Sequence, residues 1–106
     1  MLNDKVANPN NVHTIIHMKI AFDPAKDVTN QAKHGVSLIL AEQFDWETAL
    51  IWKDERKDYG EDRMLALALM GSRLYSVAFV DRRNMRRIIS LRKANSREVK
   101  RYAEND

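Results

Sequence analysis

Met64-Leu65-Ala66-Leu67-Ala68-Leu69-Met70 is followed by Gly71-Ser72, and then by Leu74-Tyr75-Ser76-Val77-Ala78-Phe79-Val80. The composition of the first run favours a helix, but seven residues that stop at Gly-Ser and resume as an apolar stretch read better as strand, turn, strand. Gly71-Ser72 suits a type II′ hairpin turn, in which the first central residue takes a positive φ. Strands this apolar belong at the centre of a sheet, covered on both faces. Asp81-Arg82-Arg83-Asn84 then turns the chain into a third strand, Arg86 to Lys93. Three successive antiparallel strands oblige the rest of the chain to pack on or beside a sheet.

The flanking segments supply the remaining elements. Met18 to Phe22 reads as a first strand, beginning as early as Val12. Asp23-Pro24 starts a helix, with Asp as N-cap and Pro where its missing N–H costs nothing. That helix runs to His34 with Ala25, Val28 and Ala32 on a thin apolar stripe. Gly35 ends it in the left-handed conformation, and Lys33 and His34 sit at the negative end of its dipole. Ser37 caps a second helix through Leu38, Ile39, Leu40, Ala41 and Phe44. Ala49 to Lys53 reads as a strand, and Asp54 to Asp62 as a polar loop around Tyr59-Gly60. Asn95 and Glu98 form a capping box for a last helix ending near Glu104. Residues 1–11 are polar and aperiodic, a loose tail on this reading; with Met18 as an alternative start, residues 1–17 are a flexible appendage and residues 18–106 form one domain. The expected fold is α+β: an antiparallel sheet of about four to five strands, two N-terminal helices and one C-terminal helix.

Charge is distributed more tellingly than the net value of +3 suggests. Between residues 82 and 101 stand nine Arg and Lys residues against the single acid Glu98, whereas residues 42–62 are acidic. A surface of that kind seeks a polyanion or an acidic partner. Cysteine is absent, which removes disulfides and thiolate metal sites and fits a cytoplasmic setting. No apolar run approaches the roughly 20 residues of a membrane-spanning helix. His13 and His17 share a spacing of four, but no Cys or nearby carboxylate completes a metal site, so no metal and no cofactor is expected. Phosphate-binding glycine loops and a nucleophile elbow are absent.

A cationic site without metal remains. Strand alternation puts Arg86, Ile88, Ser90 and Arg92 on one face of the third strand and Arg87, Ile89, Leu91 and Lys93 on the other. RNA can be cut by its own 2′-OH, leaving an enzyme to orient the chain, move two protons and stabilise charge on the phosphorane. Arg92 and Lys93 at the strand end, Arg63 at the mouth of the central strand and Arg97 on the first helical turn are candidates for phosphate, since a guanidinium fork pairs with phosphate oxygens and stays charged. Glu61 is a candidate base, and His34 and Tyr102 can handle protons. Each has a plainer reading beside it. Arg97 and Glu98 suit a solvated helix start and its cap, Lys33 and His34 suit dipole partners, Glu61 and Arg63 can pair with each other, and Tyr59 can simply pack. The whole basic stretch equally fits a non-catalytic surface for nucleic acid or a protein partner.

Several ordered blocks resemble the BrnT toxins: Phe22-Asp23-Pro24-Ala25-Lys26, Asn30 and Lys33-His34-Gly35-Val36-Ser37; then Asp54-Glu55-Arg56 and Tyr59-Gly60-Glu61-Asp62-Arg63; then Arg87-Ile88-Ile89-Ser90-Leu91-Arg92-Lys93-Ala94, Arg97-Glu98 and Tyr102. The resemblance spans Met18 to about Tyr102. It implies a RelE-like fold and a type II toxin that cleaves RNA without metal and stops translation. On that footing Arg63, Glu61, Arg92 and Lys93 are the expected catalytic residues, with Lys33, His34, Arg87, Ser90, Arg97 and Tyr102 contacting RNA. It also implies a neutralising BrnA-like antitoxin, assembly as a heterotetramer, and DNA contact only within that complex, through repression of the shared operon. One departure is the loop Asp81-Arg82-Arg83-Asn84-Met85, where BrnT proteins often carry Gly.

Overall fold

The computed structural model describes residues 18–105. Residues 1–17, with Val12, His13, His17 and the proposed appendage, lie outside the described residues. The chain forms β1 (Lys19–Ala21), α1 (Pro24–His34), a 3₁₀ segment (Leu38–Gln43), β2 (Asp45–Lys53), β3 (Met64–Met70), β4 (Arg73–Arg82), β5 (Met85–Lys93) and α2 (Ser96–Glu104). These make an α+β fold whose five described strands are ordered β1-β5-β4-β3-β2. Neighbours are antiparallel except β1 and β5, which run parallel.

Two expectations need correction. The segment after Ser37 is 3₁₀ rather than a second α-helix: Leu40 N–H reaches Ser37 O and Phe44 N–H reaches Ala41 O, each three residues back. β2 begins at Asp45 instead of Ala49, because the pairing irregularity between Asp45 and Leu50 breaks the alternation by which its first half would be recognised.

The core lies on one face of the sheet. Leu38, Ala41 and Phe44 press onto Ala66, Val77, Phe79, Ile88 and Leu91. Phe44 stacks on Tyr75 with centroids 5.5 Å apart, and Trp46 meets Phe79 edge-on at 5.4 Å. α2 approaches the opposite face, where Trp52 lies across from Leu65. None of its residues is buried. It is held through side chains: Tyr102 donates to Thr48 O at 3.0 Å, and the Arg101 guanidinium lies 3.9 Å from the Trp52 ring centre.

The hairpin turns follow the sequence, with one strained position. Gly71 has φ +62°, as its place in the turn requires. Arg83 takes φ +54° in the β4–β5 turn with a side chain that crowds this conformation. Arg83→Gly is expected to stabilise the protein by about 0.5–1 kcal/mol, the strain relieved less the extra backbone entropy of glycine. A urea midpoint that rises at constant slope checks this; an unchanged or lower midpoint refutes it.

Candidate nucleic-acid interface

β5 carries a bulge that sequence alternation alone does not reveal. Ala78 pairs with Ser90 but Phe79 pairs with Ile88, so Ile89 is an extra residue. Each strand residue normally flips face, and one insertion resets the phase. The observed faces therefore differ from strict alternation. Arg86 and Ile88 share the core face with Leu91 and Lys93, while Arg87, Ser90 and Arg92 share the other, as their partners Val80, Ala78 and Ser76 do on β4. Ser90 and Arg92 keep the common face expected of them. Lys93 does not join Arg92, and Arg87 does.

The polar face of α1 closes the edge of β5 beyond the short β1. Asn30 is 4% exposed and works as a piece of backbone. Its Oδ1 accepts from Leu91 N–H at 3.1 Å, and its Nδ2 donates to Leu91 O at 2.8 Å and to Val36 O at 2.9 Å. Asp27 accepts from Leu38 N–H at 2.7 Å and from Ser37 Oγ at 3.0 Å. Those contacts, the Leu38 backbone bond foremost, hold the Asp27 carboxyl below its ordinary range. The stripe Ala25, Val28 and Ala32 is not the docking face: all three are exposed, Val28 at 69%. Side-chain hydrogen bonds to backbone outcompete three small apolar groups here, because the backbone groups they satisfy would otherwise be buried without partners.

Docked this way, α1 and β5 border an open cleft of about 370 Å³. Lys26, Lys33 and His34 line it from the helix, Ile89 and Ser90 from the strand, and Asp23 stands at one end. Gly35, at φ +73° with its N–H on Gln31 O at 2.9 Å, ends the helix immediately after His34. Lys33, His34 and Ser90 are thus brought together. Arg92 lies one face-repeat beyond Ser90, roughly 7 Å along the strand.

Arg92 is already engaged. Its Nη1 and Nη2 donate to the two Glu98 carboxylate oxygens, both at 2.9 Å, and Nη1 also reaches Lys93 O at 3.2 Å. Glu98 meanwhile closes the α2 capping box, accepting from Asn95 N–H at 2.9 Å. The Arg92 fork holds Glu98 below the ordinary carboxylate range, and Glu98 raises Arg92. The helix cap and a ligand of Arg92 are therefore the same side chain.

Glu61 and Arg63 are not brought together with Arg92 and Lys93. Met64 aligns with Phe79 and Ile88, whereas Leu67 aligns with Ser76 and Arg92. Arg63 is therefore about 13 Å along the sheet and about 10 Å across it from Arg92. Glu61 accepts from Arg82 at 2.9 Å, and the Arg63 guanidinium lies 4.0 Å from the Tyr59 ring centre. Both belong to the β2–β3 loop. That loop is anchored by Asp54, which is 3% exposed and accepts two bonds from the Arg56 guanidinium and one from Tyr59 Oη. Arg56 above all keeps the Asp54 carboxyl ionised far into acid. Arg86 is likewise structural: it forks onto Asp81 at 2.8 Å and covers the Trp46 and Phe79 rings. Arg97 is exposed on the first turn of α2. Among the described residues no group of His, Cys, Asp or Glu has the arrangement to hold a metal ion.

Lys26 joins the cleft although no sequence motif assigns it a role. The signal was present, since residues 26, 30 and 33 fall at helical spacing and align Lys26, Asn30 and Lys33 along one stripe.

Comparison with known proteins assigns the chain to a family. A family model described as the ribonuclease toxin BrnT of a type II toxin-antitoxin system matches residues 22–98. The crystal structure of the Brucella abortus ribonuclease toxin BrnT is similar at 28% identity with a TM-score of 0.60, over 74% of this chain and 99% of that one. No curated protein matches the chain.

Proposed function

From the premise that this chain belongs to the BrnT family of type II ribonuclease toxins, we propose that it cleaves RNA without metal in the cleft between α1 and β5. The family implies an RNA substrate and an antitoxin partner. The observation that carries the location is the convergence of Lys26, Lys33, His34 and Ser90 on one cleft, beside the face on which the β5 bulge gathers Arg87 and Arg92.

In the proposed reaction the substrate's 2′-oxygen attacks the adjacent phosphorus and the bond to the 5′-oxygen breaks. His34 takes the 2′ proton, the departing 5′-oxygen takes one from solvent water, and a cyclic phosphate remains. His34 is the cleft's proton-transfer group. Lys33 and Arg92 stabilise the phosphorane, Arg92 being held in position by Glu98. Ser90 donates to a phosphate oxygen, and Arg87 follows the RNA along the strand face. Glu61, Arg63 and Lys93 lie outside this site, and Tyr102 and Arg97 belong to the attachment of α2 and its surroundings. In the cell, cleavage would halt translation until a BrnA-like antitoxin neutralises the toxin. A heterotetramer that contacts operator DNA as a complex, a RelE-like fold and a cytoplasmic setting complete the proposal.

Incubating the purified protein with RNA in EDTA tests the chemistry. Fragments ending in a cyclic phosphate are expected. Cleavage that appears only when divalent metal is added overturns the mechanism. RNA that binds with steep salt dependence and stays intact favours a non-catalytic binding surface instead.

A further inference from the structure

We infer that the cleft holds two successive phosphates of a single RNA strand, the second on Lys26, so that it favours an oligonucleotide over an isolated dinucleotide. The inference rests on the reading of the cleft as an RNA site.

Lys26 and Lys33 both line the cleft from one stripe of α1. Seven residues separate them, so their Cα atoms are about 10.5 Å apart along the axis. Long flexible side chains at that spacing reach two different phosphates rather than converging on one. What lies between them is uncharged. Asn30 is turned inward to Leu91 and Val36, and the Thr29 hydroxyl donates to Ala25 O at 3.2 Å. Ile89, the bulged residue, contributes an apolar surface to the opposite wall. The helix thus offers cation, neutral gap, cation, which matches a backbone whose charges alternate with sugars and bases.

Beyond Lys26 the cleft ends at Asp23, whose carboxylate accepts Ala25 N–H at 2.9 Å as the helix N-cap. The capping bond fixes a negative charge there. A third phosphate continuing along α1 would meet it, so the cleft accommodates two phosphates in this direction and no more. With His34 and Ser90 beside Lys33, the scissile phosphate belongs at Lys33 and the flanking one at Lys26. Lys26 is then a positioning residue for the cleavage step.

Lys26→Gln tests this, with Lys100→Gln on α2 as a matched loss of charge outside the cleft. Both sites are exposed and helical, and Gln has nearly the helix propensity of Lys, so folding is retained. Binding is measured against salt with an oligonucleotide made uncleavable by a 2′-deoxy sugar at the cut site. Lys26→Gln is expected to reduce the slope of log K against log salt by about 0.7, one single-stranded phosphate contact, and Lys100→Gln to leave it unchanged. With cleavable RNA, Lys26→Gln is expected to raise KM several-fold on a trinucleotide with two internal phosphates. It should change neither KM nor kcat on a dinucleoside monophosphate.

An unchanged slope for Lys26→Gln overturns the second subsite. So does an equal fall for Lys100→Gln, or an equal loss on both substrates. Because the slope is read from uncleavable RNA, it decides the subsite even where the wild type proves unable to cut, an outcome that overturns the ribonuclease reading separately.

Discussion

Asn30→Ala is expected to destabilise the protein by about 2–3 kcal/mol, because the change strands one buried N–H and one buried carbonyl at roughly 1 kcal/mol or more each, and a half-buried carbonyl at less. These groups are Leu91 N–H, Leu91 O and Val36 O, all served by a single 4%-exposed amide. For a domain of this size such a loss lowers Tm by roughly 8–20 °C. Asn30→Asp separates hydrogen bonding from volume. The carboxylate fits the same space and can still accept from Leu91 N–H, but it presents negative charge to two carbonyls where the amide donated. At neutral pH it should cost at least as much as Ala. Burial beside carbonyls raises the carboxyl pKa in the folded state above its unfolded value of about 4, so the acid protonates and donates once more, and stability is regained, as pH falls through the folded pKa, the gain being complete by about 4. Thermal melts of both variants across pH decide the matter. If Asn30→Ala melts within a few degrees of the wild type, the amide is not what joins α1 to the sheet, and the cleft must be held another way.

This residue also shows where sequence reading runs out. The helix boundaries were legible, because Asp23-Pro24 and Gly35 act through local geometry that a few neighbouring residues determine. Its inward face was not. Amphipathic patterning assumes that apolar groups bury and polar groups face water, and α1 inverts this: Asp27 and Asn30 point inward while Val28 is 69% exposed. The meander of β3, β4 and β5 was legible from alternation and from Gly71-Ser72. The bulge at Ile89 was not, since Ile88-Ile89 reads as unbroken strand and only the pairing with Phe79 and Ala78 reveals the extra residue.

The bulge and Asn30 are linked, and together they make the site. Inserting Ile89 turns Ser90 and Arg92 to the face of Arg87, and it leaves Leu91 as the residue whose edge groups meet the Asn30 amide. The same irregularity that brings Arg87 onto the face of Ser90 and Arg92 therefore supplies the backbone groups by which the helix carrying Lys26, Lys33 and His34 is docked. A regular strand would pair Arg86 with Arg92 on one face and Arg87 with Lys93 on the other, leaving Arg87 turned away from Ser90. Glu98 completes the arrangement from the other side by fixing Arg92 while capping α2. Charged residues outside it, such as Arg86 with Asp81 and Arg56 with Asp54, are joined in forked pairs that serve packing.

His34→Gln is expected to lower kcat for RNA cleavage by about 10²–10⁴-fold, the usual contribution of a positioned acid–base group, with KM little changed. His34 is exposed at the last turn of α1 and lines the cleft with Lys33 and Ser90. Its placement is set by backbone rather than by its own contacts, through the left-handed Gly35 that follows it and through Val36 O, which Asn30 holds. Glutamine keeps hydrogen-bonding capacity and a side chain of similar reach, but it cannot accept the proton of the attacking 2′-hydroxyl. Because the site is exposed, the variant should melt within a degree or two of the wild type, unlike Asn30→Ala, whose loss of activity would accompany unfolding. Single-turnover cleavage in EDTA, with a parallel melt, makes the comparison. A kcat within about threefold of wild type would assign proton transfer elsewhere and leave His34 as a contact for RNA or a partner of the helix dipole. A loss of that size in a fully folded variant would place the chemistry at the C-terminal end of α1, beside the face that the Ile89 bulge creates.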